Sequence, residues 1–142
     1  MKSIYLLLAV AAFSGSKAFA NETTCLSNVM YAEAKGASLE GTMIVGECML
    51  TRAGHQGRSI CNTTGVKRHT PPVSLVEYYK ALARQLLSHP SRNLSKGCDS
   101  WNAGKKPAHV GKVTRHADGQ VFYVMQAKRE RVKWTNADTD DE

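Results

Sequence analysis

Acidic residues are outnumbered in this chain, 12 Asp and Glu against 19 Lys and Arg, and aromatic residues make up only 7% of it. No C-x-x-C pair occurs and the histidines are scattered, a pattern that does not suit a zinc site. No G-x-S-x-G elbow occurs, so Ser100 and His116 lack the setting of a serine hydrolase. No Gly-rich phosphate loop is present, which argues against nucleotide binding. Internal repeats and low-complexity tracts are also missing. Beyond the N-terminus no segment is apolar enough to cross a bilayer.

The apolar run that does exist lies at the start. Lys2 supplies a positive end, Tyr5 to Phe13 an apolar stretch, and Ala18-Phe19-Ala20 a small-x-small cleavage site. Residues 1–20 are therefore expected to be a secretory signal peptide. Cleavage would leave 122 residues, enough for one domain with one core (21–135) and a polar acidic tail (136–142). It would lower the formal charge from +7 to +5. A basic exported protein suits an anionic partner.

Cys25, Cys48, Cys61 and Cys98 all follow that leader. An even count in an exported chain reads as two disulfides. Three pairings are possible, of which Cys48–Cys61 with Cys25–Cys98 is preferred here. A disulfide is also the better reading of Cys98 than a thiol nucleophile.

Periodicity organises the rest. Thr23 or Thr24 is placed to cap a helix that Gly36 stops near Lys35. A second helix is expected from Ser38 to Arg52–Gly54, with Glu40 in its first turn, where the helix dipole favours an acid. Residues 54–72 read as loop. Ser74 to Glu77 forms a capping box that opens a third helix, with Leu75, Tyr79, Leu82 and Leu86 inward and His89-Pro90 as its stop. Residues 91–111 read as irregular. Two alternating segments around Asp118-Gly119 predict a hairpin, with Phe122 in the core and Tyr123 toward a cleft. The fold class expected is α+β, mostly α, with a small C-terminal β-hairpin.

Glu33 is the candidate for chemistry. It shares a helical face with Leu26, Val29 and Met30, and a carboxyl on such a face is suited to general-acid work. The alternative is a helix-end acid that turns to water or pairs with Lys35. Glu47 reads as either solvated or supporting. Asp99 and Trp101 share a loop that could face a cleft, and Trp101, Phe122, Tyr123 and Trp134 include rings suited to stacking on sugars.

The segment "CLSNVMYAEAKGASLEGTMIVGECMLTRA" resembles the opening of the cell-wall hydrolase family typified by spore cortex-lytic enzymes. That family's pattern is roughly A-x-x-x-Y-x-E-A-R-G-E-x-x-E-G-x-x-A-V-x-x-V-x-x-N-R. Tyr31, Glu33, Ala34, Lys35 (for Arg), Gly36, Glu40, Gly41, Val45 and Arg52 fall in step with it. "GCDSWNAGKKPAHVG" and "TRHADGQVFYVM" resemble its later segments. Ala37, Ser100 and Gln120 stand where the family often carries an acid and two histidines.

The resemblance implies a lysozyme-like single domain that cuts the β-1,4 bond between N-acetylmuramic acid and N-acetylglucosamine. Glu33 would be the catalytic acid, and Tyr31, Asp99, Ser100, Trp101 and Tyr123 would contact substrate. No obvious second carboxylate accompanies Glu33, whereas ordinary glycosidases need two. A lytic transglycosylase manages with one, which is the route preferred over hydrolysis. No cofactor and no metal are implied. The expected partner is the peptidoglycan glycan strand, met by a secreted or periplasmic monomer with no membrane insertion after cleavage. A wall-binding module without catalysis and a nucleic-acid binder are the competing readings.

Overall fold

The computed structural model describes residues 2–91, 93–104 and 111–125, with side chains from residue 18 onward. The expected acidic tail and Trp134 lie outside the described residues. Three α-helices come first: α1 (Lys2–Ala34), α2 (Leu39–Gln56) and, after a short 3-10 turn at Ile60–Asn62, α3 (Val73–Ser88). Three strands follow: β1 (Ser100–Ala103), β2 (Val113–Ala117) and β3 (Gln120–Tyr123). The fold is mixed α+β and mostly helical, with the sheet at the C-terminal end.

α1 runs unbroken through Ala20, so Thr23 and Thr24 are not caps. Their hydroxyls bond back one turn, to the Phe19 and Ala20 carbonyls at 2.8 and 3.1 Å. Leu26, Val29 and Met30 are fully buried, as the helical spacing predicts. α2 starts at Ser38, whose hydroxyl accepts from the Gly41 amide at 3.1 Å. It ends at Gly57, which takes the left-handed conformation (φ 62°) that glycine adopts at least cost. The helix thus runs slightly past the expected stop. Every residue from Gly41 to Met49 is buried, so α2 is the central element. Gly46 makes that possible: a Cβ there would collide with Leu86 of α3 and press on Met30 of α1.

The capping box does not form. α3 begins at Val73 with Pro72 as its cap residue, so Ser74 already sits inside the first turn and cannot close over it. The amides of Leu75 and Val76 instead bond the Pro72 carbonyl at 2.8 and 3.1 Å. The buried row is Tyr79, Ala83 and Leu86, while Leu75 is 40% exposed.

The hairpin forms at the expected place. Asp118 and Gly119 both have positive φ (51° and 73°), as the tight hairpin turn that matches strand twist requires. The sheet has one strand more than predicted. β1 pairs antiparallel with β3, giving the order β1-β3-β2. The turn also docks on α2. The Asp118 carboxylate accepts from the Ser38 amide and hydroxyl at 3.2 and 2.7 Å, and Arg115 of β2 pairs with Glu40.

Two clusters make up most of the core. Leu26, Val29, Met30, Met49, Tyr79 and Leu86 belong to one cluster among the helices. Ala34, Ile44, Val45, Cys48, Cys98 and Phe122 join α1, α2 and the sheet in another.

Both disulfides form, with the pairing Cys25–Cys61 and Cys48–Cys98. The preferred pairing is therefore wrong. The reason is spatial: the 3-10 turn lies mainly against α1, which brings Cys61 to Cys25 with Cα atoms 5.2 Å apart. Two disulfides suit an oxidising, extracellular setting. No helix among the described residues is long and apolar enough to cross a membrane.

Candidate active site

Glu33 lies in the last turn of α1, and its side chain is only half-buried. A carboxylate there meets the negative end of the helix dipole, which disfavours it. Two N–H groups offset this. The backbone amide of Lys67 donates to Oε1 at 2.8 Å, and the indole N–H of Trp101 donates to Oε2 at 3.0 Å. Each donor comes from a different element, one from the loop after the 3-10 turn and one from β1. A third contact holds the backbone beneath. The Gln120 side-chain amide donates to the Glu33 carbonyl at 3.1 Å, satisfying one of the acceptors that a helix end leaves open.

These groups line a cleft of about 610 Å³. Its walls are Glu33 of α1, Arg52 of α2, the Gly65–Lys67 loop, Trp101 to Ala103 of β1, and Gln120 of β3. The Arg52 guanidinium lies 5.9 Å from the centroid of the Trp101 ring. Gly65 (φ 75°) leaves room for that guanidinium, since a Cβ there would run into Nη2. Glu33 is the carboxylate among the described lining residues.

Trp101 is thus brought to Glu33, and the other expected contact residues are not. Tyr31 points to the far side of α1 and packs edge-on against Tyr79, with ring centroids 5.4 Å apart; the Lys35 amine lies over its ring. A step of two residues turns a helical side chain about 200° from Glu33, so both cannot face one cleft.

Asp99 is buried. Its carboxylate meets His55 Nδ1 at 3.0 Å, the Ser100 hydroxyl at 3.2 Å and the Met125 amide at 3.0 Å. It ties the end of α2 to the sheet instead of facing the cleft. Ser100 is 3% exposed and spends its hydroxyl on that carboxylate. Here the acid stands between Ser and His, so no nucleophile–base pair results.

Tyr123 was expected at the cleft. It alternates with Phe122 and lies on the opposite face of the sheet, 5% exposed, against Val121, Val113 and Met125. Burial raises its phenol above the usual range; Arg52 works against that rise and Asp99 adds to it. Tyr79 is raised for the same first reason, with Tyr78 and Tyr31 adding to it.

The remaining acids near α2 are engaged elsewhere. Glu47 is 2% exposed and accepts the Leu94 and Ser95 amides at 3.2 and 3.0 Å. It supports a loop and is not solvated. Glu40 pairs with Arg115. No group of His, Cys, Asp and Glu side chains suited to a metal ion occurs among the described residues.

Sequence reasoning missed the Lys67 amide, Gln120 and the use of Arg52 as a wall. A backbone amide leaves no trace in residue type. The glycines and basic residues of the 54–72 loop were the signal available.

No family model, curated protein or solved structure matches this chain. The functional reading therefore stands on the cleft and on the sequence resemblance.

Proposed function

We propose that this chain is an exported peptidoglycan-cleaving glycosidase. It acts on the bond between N-acetylmuramic acid and N-acetylglucosamine as a lytic transglycosylase, with Glu33 as its single acid and base. The observation that carries this is one carboxylate, fixed by two N–H donors, in an open cleft beside an aromatic ring.

In this reaction the Glu33 carboxyl gives its proton to the glycosidic oxygen as the C1–O bond breaks. The resulting carboxylate then takes the proton of the muramic 6-hydroxyl, whose oxygen bonds to C1 and closes a 1,6-anhydro ring. The acid ends as it began, and no water is consumed. The Lys67 and Trp101 donors hold both oxygens in one orientation through the two proton transfers. Fixed geometry is worth much of a barrier in such steps.

Two further observations support the reading. A two-acid mechanism needs a second carboxylate roughly 5–10 Å from the first, and among the described residues Glu40, Glu47 and Asp99 are all bound elsewhere. The formal positive charge and the disulfides suit work at an anionic wall outside the cytosol. Residues 1–20 would be the export signal, removed after Ala20.

The test is release of soluble fragments from purified peptidoglycan by the native protein and by Glu33→Gln. Native activity with anhydro ends in the mass spectrum, lost in Glu33→Gln, is the expected outcome. Full activity in Glu33→Gln overturns the assignment. Reducing ends without anhydro ends would convert the mechanism to hydrolysis.

A further inference from the structure

The charge balance of the cleft is not explained by an acid–base role alone. Two cationic side chains, Arg52 and Lys67, line it with the one carboxylate of Glu33. Neither cation is paired with that carboxylate. The ion pairs among the described residues are His55–Asp99, Arg84–Glu77 and Arg115–Glu40. Glu33 receives N–H groups from the Lys67 backbone and from Trp101 instead.

Arg52 is the more constrained cation. Its side chain is half-buried, stacked near the Trp101 ring and laid over Gly65. Among the described residues its side chain makes a long 3.5 Å contact to the Asp99 carbonyl. A guanidinium held in place, partly desolvated and paired with no carboxylate among the described residues is preorganised for an acid brought by a ligand, because its planar fork matches a carboxylate in two parallel bonds.

We infer that Arg52 reads a carboxylate carried on the sugar substituent beside the bond to be cut, with Lys67 adding attraction at the rim. The inference rests on the glycan-cleaving reading of the same cleft. It restricts the substrate to acidic glycans. Neutral polymers of N-acetylglucosamine would leave the guanidinium without its partner. In peptidoglycan the stem peptide on the muramic acid supplies such carboxylates.

The test measures binding by calorimetry, using the full chain carrying Glu33→Gln so that no turnover intervenes. The probes are a muropeptide tetrasaccharide with free stem carboxylates, the same molecule with those carboxylates converted to methylamides, and the neutral tetramer of N-acetylglucosamine. The acidic muropeptide is expected to bind about tenfold tighter than the amidated one, the scale of one charge-assisted pair. Adding Arg52→Gln should erase that difference. Arg52→Lys should restore part of it.

Equal affinity for the acidic and amidated ligands overturns the inference. So does a preference that survives Arg52→Gln. Should Arg52→Gln melt early, the two ligands compared on intact Arg52, and on Arg52→Lys, still decide it. Cleavage by the native protein is read separately. Cleavage that ignores amidation defeats the Arg52 inference alone, and a carboxylate preference without cleavage defeats the mechanism alone.

Discussion

Trp101→Phe separates two roles that the same ring could play. The substitution removes the indole N–H that donates to Glu33 Oε2 at 3.0 Å. It keeps an aromatic face for the Arg52 guanidinium and for the core clusters that Trp101 packs against. A hydrogen bond to a charged group is worth about 1.5–3 kcal/mol. Glu33 is half-buried beside an open cleft, so water can reach the vacated oxygen and the low end applies. Glu33 also keeps the Lys67 amide at 2.8 Å, which limits the disorder. The expected effect is therefore about a tenfold fall in turnover, corresponding to roughly 1.4 kcal/mol. The assay is initial-rate release of soluble fragments from purified peptidoglycan, with kcat and KM resolved. If Trp101 acts by orienting Glu33, kcat falls and KM holds. A kcat within twofold of native refutes that reasoning. A raised KM with intact kcat would return Trp101 to the simpler role of a sugar platform.

Peptide mapping without reduction should recover Cys25 linked to Cys61 and Cys48 linked to Cys98; any other pairing contradicts the fold. Gly46→Val should destabilise by about 1–3 kcal/mol, the usual cost of overpacking, because its side chain would meet Leu86 and Met30; an unchanged urea midpoint would mean that α2 does not pass so close to α1 and α3. Tyr79 and Tyr123 are held above the ordinary phenol value of 10.0. The native state thus favours their neutral forms, so their stabilising effect is complete below about pH 10 and is lost as pH rises through their raised values. Urea midpoints should fall above pH 10, and Tyr123→Phe should flatten that fall; an equally steep fall in the variant would rule Tyr123 out as a contributor.

What was legible in the sequence was local. Leu26, Val29, Met30 and Glu33 mark a helical face, Ser38 marks a helix start, and Asp118-Gly119 marks a turn whose backbone demands those residues. Each signal spans a few residues, so the chain need not be folded to read it. The capping box failed on a local competitor: Pro72 caps the helix two residues early and strands Ser74 within its first turn. The third strand failed for a different reason. β1 has four residues and pairs with β3 residues 17 to 23 positions further along the chain, so its strand character comes from the partner. Tyr31, Asp99, Ser100 and Tyr123 carry residue types suited to a sugar cleft, but type alone does not fix direction. Helical rotation, burial and strand alternation turned all of them elsewhere.

The disulfides connect these long-range facts to Glu33. Cys48–Cys98 ties β1 to α2 three residues before Trp101. Cys25–Cys61 ties the 3-10 turn to α1 six residues before Lys67. Each bridge thus anchors the segment that delivers one of the two N–H groups to the carboxylate. A loop that must bring a single amide to 2.8 Å loses much conformational freedom, and a short covalent lead reduces what remains to be ordered. The bridges are not symmetric. Cys48 and Cys98 are fully buried within a core cluster, so packing also holds β1 in place. The Lys67 segment is covalently tied through Cys61, which is only partly buried, and Lys67 itself is exposed. Its supports are the Cys61 bridge, Ile60 in the helical core with Val66 packed against it, and a set of hydrogen bonds: Ile60 amide to Glu22 at 3.1 Å, Thr64 amide to Gln56 at 2.9 Å, Arg68 to the Ile60 and Thr63 carbonyls, His69 amide to the Asn28 carbonyl at 3.2 Å, and the Lys67 bond itself. Loss of the Cys25–Cys61 link would therefore loosen the Oε1 side of Glu33 before the Oε2 side.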